Sequence, residues 1–65
     1  MNIYEIDNYR NGGVTDDAIY IVEDAREVPY AMEYSAEAAE RHIPGLQEIY
    51  PEAKFVVTKL AGGAL

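Results

Sequence analysis

The sequence predicts a small α+β domain, a mostly antiparallel sheet with the element order β-β-β-α-β and one kinked helix packed on one face. Two observations predict this class. Several short segments are rich in isoleucine, valine and tyrosine, as strands are. The segment Ser35–Tyr50 instead repeats its apolar residues at spacings of three and four, the period of an amphipathic helix. One helical layer covers one sheet face, so we expect the other face to be open.

The first two strands are predicted on either side of a loop. Asn2–Tyr9 is rich in isoleucine and tyrosine, and we interpret it as a strand. Asn11, Gly12 and Gly13 then form the strongest turn signal, because asparagine and glycine adopt positive φ at little cost. Ala18–Glu23 has apolar residues on both sides, which predicts the central position in the sheet.

The third strand is predicted at an edge of the sheet. After a turn at Asp24–Arg26, the segment Val28–Tyr34 alternates in strand fashion. Pro29 cannot donate a ladder hydrogen bond, which suits an edge. A helix beginning at Pro29 is the alternative, since proline is also favoured in a first helical turn. The last predicted strand is Lys54–Leu60, a continuous run of β-forming residues.

The predicted helix begins at Ala36. Ser35 is a suitable N-cap, and Glu37 lies where the helix dipole favours a carboxylate. Its apolar stripe is expected to pack on the sheet. The stripe consists of Ala36, Ala39, Ile43, Leu46 and Tyr50.

A break is predicted inside this helix, because Pro44 lacks an N–H for the helical ladder and Gly45 follows it. We therefore expect one helix to about Ile43, a kink or short gap, and a second helical piece from Gly45 to Tyr50.

Size and composition exclude several classes of protein. With 65 residues, the chain is expected to form one domain over residues 1–60, with a flexible tail at 61–65. It has no cysteine, which excludes disulfides, a thiolate nucleophile and cysteine-ligated zinc. We find no basic leader followed by an apolar run and no stretch long enough to span a membrane, so we expect a soluble, cytoplasmic protein.

The charge of the chain is strongly negative. Five Lys and Arg residues against twelve Asp and Glu residues give a net charge of −7. Such a charge repels phosphate, so we expect no direct binding of nucleic acid. Two interpretations remain open, one in which the charge only keeps the protein soluble and one in which it forms a surface for a basic partner.

No pattern in the sequence predicts catalysis, a metal or a cofactor. The one histidine, His42, has no nucleophile or ligand set around it. The carboxylate pairs Asp16–Asp17 and Glu23–Asp24 are adjacent in sequence and close to turns, where we interpret them as solvated. We therefore predict that the protein is not an enzyme.

Tyrosine is unusually frequent. The chain has six tyrosines, one phenylalanine and no tryptophan. We assign Tyr20 and Tyr50 to the core and consider Tyr9, Tyr30 and Tyr34 candidates for surface contacts, because tyrosine is enriched at interfaces.

These features together predict a small acidic module that occupies a basic, nucleic-acid-binding surface of a partner protein and so acts as an inhibitor. In size and charge the chain resembles small phage-borne inhibitors of host nucleases that mimic DNA, anti-CRISPR proteins among them. The residues predicted to contact the partner are Tyr9, Asp16, Asp17, Glu23, Asp24, Glu27, Tyr30, Glu33, Tyr34, Glu37 and Glu40.

The alternative is a self-associating structural, accessory or antitoxin-like protein whose acidity provides only solubility. Under either interpretation we expect a homodimer, formed through the open sheet face or through the Val28–Tyr34 edge, which leaves the acidic loops free for a basic partner.

Overall fold

A computed structural model describes residues 6, 9, 10 and 18–61. Within residues 18–61, three strands form a sheet, and two short helices connect its second and third strands. The elements are β1 (Ile19–Glu23), β2 (Pro29–Glu33), α1 (Ala36–Glu40), α2 (Ile43–Ile49) and β3 (Val56–Ala61). The predicted α+β class, with a bent helix packed against an antiparallel sheet, is confirmed.

The sheet has the order β2-β1-β3, and both neighbours of β1 are antiparallel to it. The central position predicted for the second segment and the edge position predicted for the third are therefore confirmed. The strand at Pro29 also settles the alternative in which a helix begins there. The last strand begins at Val56, two residues later than Lys54, and it includes Ala61, which pairs with Ile19.

A bulge interrupts the pairing of β1 with β2. Val22 lies opposite Ala31, and the next residue, Glu23, lies opposite Pro29, so Tyr30 is the extra residue. Such a bulge bends its strand and redirects the side chain at the bulge. Tyr30 reaches the helical side of the molecule from this position, where it contacts Tyr50.

Both faces of β1 are covered, which corrects the expectation of an open sheet face. Ile21 and Val22 point to opposite faces, and both are fully buried. α1 contacts all three strands. The helices lie on the Val22 face, because Glu33, which shares that face, reaches His42 between the two helices.

The opposite face is approached by the N-terminal residues. Ile6 is buried, and Arg10 forms an ion pair with Glu23, which lies on the Ile21 face. Ile6, Tyr9 and Arg10 are helical, so the strand predicted over Asn2–Tyr9 is wrong at both of its described positions. Tyr9 and Arg10 lie three and four positions after Ile6, so a helix brings all three residues to one face. Composition suggested a strand, whereas the described residues are helical.

The helix begins as predicted and breaks earlier than predicted. The Ser35 Oγ accepts from the backbone N–H of Ala38 at 3.1 Å, which confirms the N-cap. The break falls at Arg41–His42 and not after Ile43. Pro44 occupies the first turn of α2, where its missing N–H is not required, so the interruption moves into the preceding turn.

The apolar stripe loses contact with the core toward its C-terminal end. Ala39 is fully buried, Ile43 and Leu46 are half-buried, and Tyr50 is 44% exposed. Tyr50, assigned to the core from its spacing, is the C-cap of α2 and has the non-helical dihedrals φ −125° and ψ 73°. Its side chain therefore departs from the helical phase. In the described part of the chain, no helix is both long and apolar enough to cross a membrane.

Candidate functional site

The loop between β1 and β2 is organised by Asp24. Its carboxylate is buried, with the residue 6% exposed, and Oδ1 accepts from the backbone N–H groups of Arg26 at 2.8 Å and Val28 at 3.1 Å. The Tyr30 hydroxyl donates to Oδ2 at 3.1 Å. An aspartate that caps its own turn in this way fixes the loop conformation, including Glu27 at a φ of 63°.

The environment of Asp24 keeps its carboxylate ionised. The hydrogen bond from the Val28 N–H lowers the pKa of Asp24, burial opposes this effect, and the Arg26 N–H and Tyr30 hydroxyl lower the pKa further. For Tyr30, burial and then the neighbouring Asp24 carboxylate raise the pKa, so this hydroxyl remains protonated as the donor. The pair therefore forms a fixed hydrogen bond on the floor of the loop.

An aromatic cluster lies beside this loop and consists of Tyr30, Tyr50 and Phe55. The Tyr30 ring meets Phe55 edge-on at 5.0 Å between centroids and Tyr50 at 5.4 Å. Tyr50 and Phe55 are 6.3 Å apart. These separations are typical of favourable aromatic pairs. The cluster therefore packs the β2 bulge against the end of α2 and against the segment that precedes β3.

The connection after α2 is held by Gln47. Its side-chain amide donates to the carbonyl oxygens of Tyr50 at 3.1 Å and Ala53 at 2.7 Å. A side chain that satisfies carbonyl groups at a helix end replaces the missing helical donors. The segment from Tyr50 to Ala53 is thereby fixed opposite the Asp24 loop.

A cleft of about 570 Å³ opens between these two segments. This volume lies within the range of ligand-binding pockets, and pockets of this kind combine apolar walls with a few polar groups. Ile49 at its edge is 67% exposed, and the Arg26 side chain is largely exposed as well. The residues that line the cleft are Asp24, Arg26, Tyr30, Ile49, Tyr50, Pro51, Glu52 and Ala53.

A second internal network is centred on Glu23. Its carboxylate is buried, with the residue 6% exposed, and it accepts from the Arg10 guanidinium and from the Thr58 hydroxyl at 2.7 Å. Arg10 also donates to the Glu27 carbonyl oxygen at 3.2 Å. The network ties the N-terminal helical residues to β1 and β3. The charge of Glu23 has a structural role, because its carboxylate is enclosed.

The structure divides the predicted contact residues into separate groups. Glu23 and Asp24 are buried and hydrogen-bonded, which corrects their interpretation as solvated turn residues. Tyr9 and Tyr30 are half-buried, and Tyr30 belongs to the aromatic cluster. Asp16 and Asp17 lie outside the described residues.

The remaining predicted contact residues are on the surface. Glu27, which precedes β2, and Tyr34, which follows it, are both exposed. Glu37 and Glu40 are exposed on α1. Glu33 is half-buried and lies 2.7 Å from His42 Nε2, measured from its Oε2. Glu48 on α2 and Glu52 in the turn after it are exposed as well.

Sequence reasoning missed Ile49, Arg26 and Phe55 as parts of the cleft region. Ile49 lies three positions after Leu46, a spacing that fits the apolar stripe, so the sequence gives no signal of its exposure. Arg26 and Phe55 carry no signal either, because their positions depend on how the β1–β2 loop meets the segment before β3.

Metal chemistry and relatives give no further assignment. Within residues 6, 9, 10 and 18–61, no three side chains of the metal-ligating types come together in a group that could hold an ion. Comparisons with protein-family models, with curated proteins and with solved structures find no match to this chain.

Proposed function

We propose that this protein is a non-enzymatic module that binds a basic, nucleic-acid-binding surface of a partner protein and blocks it. The observation that carries the proposal is the apolar, aromatic-walled cleft that opens beside the exposed carboxylate of Glu52. Apolar and aromatic anchors supply most of the binding energy at protein interfaces. Charges at the rim supply steering and selectivity.

The carboxylates that support the proposal are on the helical side. Glu37 and Glu40 are exposed on α1, where side chains three positions apart are neighbours on a helix. Glu48 is exposed on α2, and Glu52 is exposed in the wall of the cleft. Exposed carboxylates can meet the Lys and Arg side chains that otherwise contact phosphates.

The exposed apolar residues at the cleft distinguish this proposal from simple solubility. Ile49 and Tyr50 present apolar surface to water next to one another, at the end of α2. A protein that used its acidity only to remain soluble would gain from polar residues here, because exposed apolar patches promote association. Together with Arg26 in the same cleft, they form the mixture of tyrosine, arginine and aliphatic side chains found at interface centres.

The test is capture from cell lysate, followed by affinity measurements with the purified captured protein. Ile49→Ser removes the anchor, and Val28→Ser is the matched control, an exposed aliphatic residue outside the cleft lining. We expect Ile49→Ser to weaken binding about tenfold or more and Val28→Ser to leave it unchanged.

Charge is tested separately with the double substitution Glu37→Gln and Glu40→Gln. We expect slower association and a smaller loss of affinity between about 50 mM and about 200 mM salt. Double-stranded DNA should compete for the partner. Binding that is insensitive to salt, to DNA and to both sets of variants contradicts the proposal.

A further inference from the structure

β3 forms one of the two edges of the sheet. β3 is the terminal strand of the sheet, and among the residues that the structure describes it pairs only with β1. A terminal strand presents a row of backbone N–H and C=O groups on its outer side. Such an edge is the template for addition of an extended segment from another protein.

The two edges of the sheet differ in this respect. β2 begins with Pro29, which has no N–H, and is distorted by the bulge at Tyr30. Both features protect an edge against pairing. β3, from Val56 to Ala61, contains no proline. Of the two edges of the sheet, the outer edge of β3 is therefore the one suited to strand addition.

β3 carries one charged residue, the cation Lys59, in a chain that is otherwise strongly acidic. The sequence has no Asp or Glu after Glu52, whereas Lys54 and Lys59 are two of its five cationic residues. Both lysine side chains are exposed. An approaching acidic segment therefore meets attraction here, on a molecule whose net charge is −7.

The side chains of β3 define what an added strand would contact. Val56 and Thr58 lie on one face of the sheet, opposite Glu23 and Ile21. Val57 and Lys59 lie on the other face. Val56 is 52% exposed and Lys59 is exposed, so an added strand would meet an apolar group on one face and a cation on the other.

We propose that the outer edge of β3 binds an extended acidic segment of a partner protein by strand addition. Backbone hydrogen bonds give the affinity, and Lys59 selects a carboxylate on the added strand. A second copy of this chain is a poor occupant, because its own β3 would bring Lys59 and no carboxylate to the pairing. This edge is distinct from the carboxylates of the helical side, so the inference is independent of the function proposed above.

The test uses the full chain and two peptides as probes. One is an eight-residue peptide in which glutamate alternates with valine or threonine, and the other replaces every glutamate with lysine. We expect the glutamate peptide to shift the amide resonances of Val56 to Lys59 and to slow hydrogen exchange there. Shifts that are absent at millimolar peptide, that lie elsewhere, or that are equal for both peptides overturn the proposal.

Variants separate a local charge effect from a general one. Lys59→Glu should weaken the glutamate peptide about tenfold and strengthen the lysine peptide. Arg41→Glu is the matched control, because it changes the net charge equally at an exposed residue between the helices. Equal weakening by both substitutions overturns the proposal. A dimer of the protein alone would also overturn the proposal if it depends on this edge. Light scattering would then give a mass near twice 7.3 kDa for the wild-type protein and 7.3 kDa for Lys59→Glu, because a second copy occupies the edge.

Discussion

Two carboxylates bound to Arg10 illustrate how burial sets the value of a charge. Glu23 is enclosed and accepts from both Arg10 and Thr58, whereas the Glu27 side chain is 74% exposed and its Oε2 lies 3.9 Å from Arg10 Nη1. Hydrogen bonds to charged groups inside a protein are worth more than exposed ion pairs, because water screens the latter and competes for them.

Glu23→Gln should therefore lower the free energy of unfolding by about 2 kcal/mol, whereas Glu27→Gln should change it by less than about 0.5 kcal/mol. Glutamine has nearly the same shape, so both variants remove charge without leaving a cavity. Urea unfolding followed by circular dichroism measures both values. Equal effects of the two substitutions would show that the Glu23 network does not contribute as its burial indicates.

The lowered pKa of Asp24 predicts a pH dependence with a definite sign. The folded state stabilises the ionised form of Asp24 more than the unfolded state does. The contribution of this carboxylate to the free energy of unfolding is therefore fully present above the ordinary aspartate pKa of about 4. This contribution is lost as the pH falls through the lowered pKa of the folded state. Asp24→Asn keeps an oxygen for the loop N–H groups and removes the titration.

We expect the wild-type protein to be more stable than Asp24→Asn at about pH 7 and this difference to shrink at about pH 3. Unfolding by urea at both pH values measures it. A difference that is constant with pH, or that widens in acid, would mean that the carboxylate charge is not used by the loop.

Among the elements, α1 has the closest packing against the sheet. Ala39 is fully buried and Ala38 is half-buried one position along the same helix. Ala39→Leu should destabilise the fold by about 1–3 kcal/mol, because a larger side chain at a fully buried position displaces its neighbours. Ala38→Leu is the control, and thermal unfolding should place it close to wild type. Tolerance of leucine at Ala39 would place that helix face away from the core.

The elements that could be predicted are those whose signals are local. Ser35 marks the helix start through its own hydroxyl, and Pro29 marks an edge because it lacks a donor. The N-terminal segment could not be predicted in this way. Its isoleucine and tyrosine content fits a strand, whereas Ile6 is buried and Arg10 pairs with Glu23 of a sheet that is distant in sequence.

The candidate site was less predictable than the fold. A sequence shows that Asp24 is charged and close to a turn, but burial and the partners of its two oxygens depend on the loop geometry. The cleft itself forms where the Asp24 loop meets the segment after α2, so its lining depends on tertiary structure. The exposed residues Glu37 and Glu40 were predictable, since they follow from the helical period.

The whole molecule is expected to be monomeric in the absence of a partner. The sequence predicted a homodimer from an open sheet face, but Ile21 and Val22 are buried on both sides of β1 within one chain. The other predicted dimer contact, the β2 edge, carries Pro29 and the Tyr30 bulge. Light scattering at micromolar concentration should give a mass near 7.3 kDa, and a value twice as large would contradict this.

The position of β1 between β2 and β3 also bears on the order of folding. β1 and β2 are adjacent in sequence, whereas Glu23 and Thr58, which join β1 to β3, are 35 residues apart. Closing a longer loop costs more conformational entropy, so the β1–β2 hairpin should form before β3 docks. Stopped-flow measurements on Asp24→Asn should then show slower folding, whereas Thr58→Ala should mainly accelerate unfolding. We expect β3 to be the last strand to join the sheet and the first to detach. Detachment of β3 alone would expose one edge of β1 while the β1–β2 hairpin remains intact.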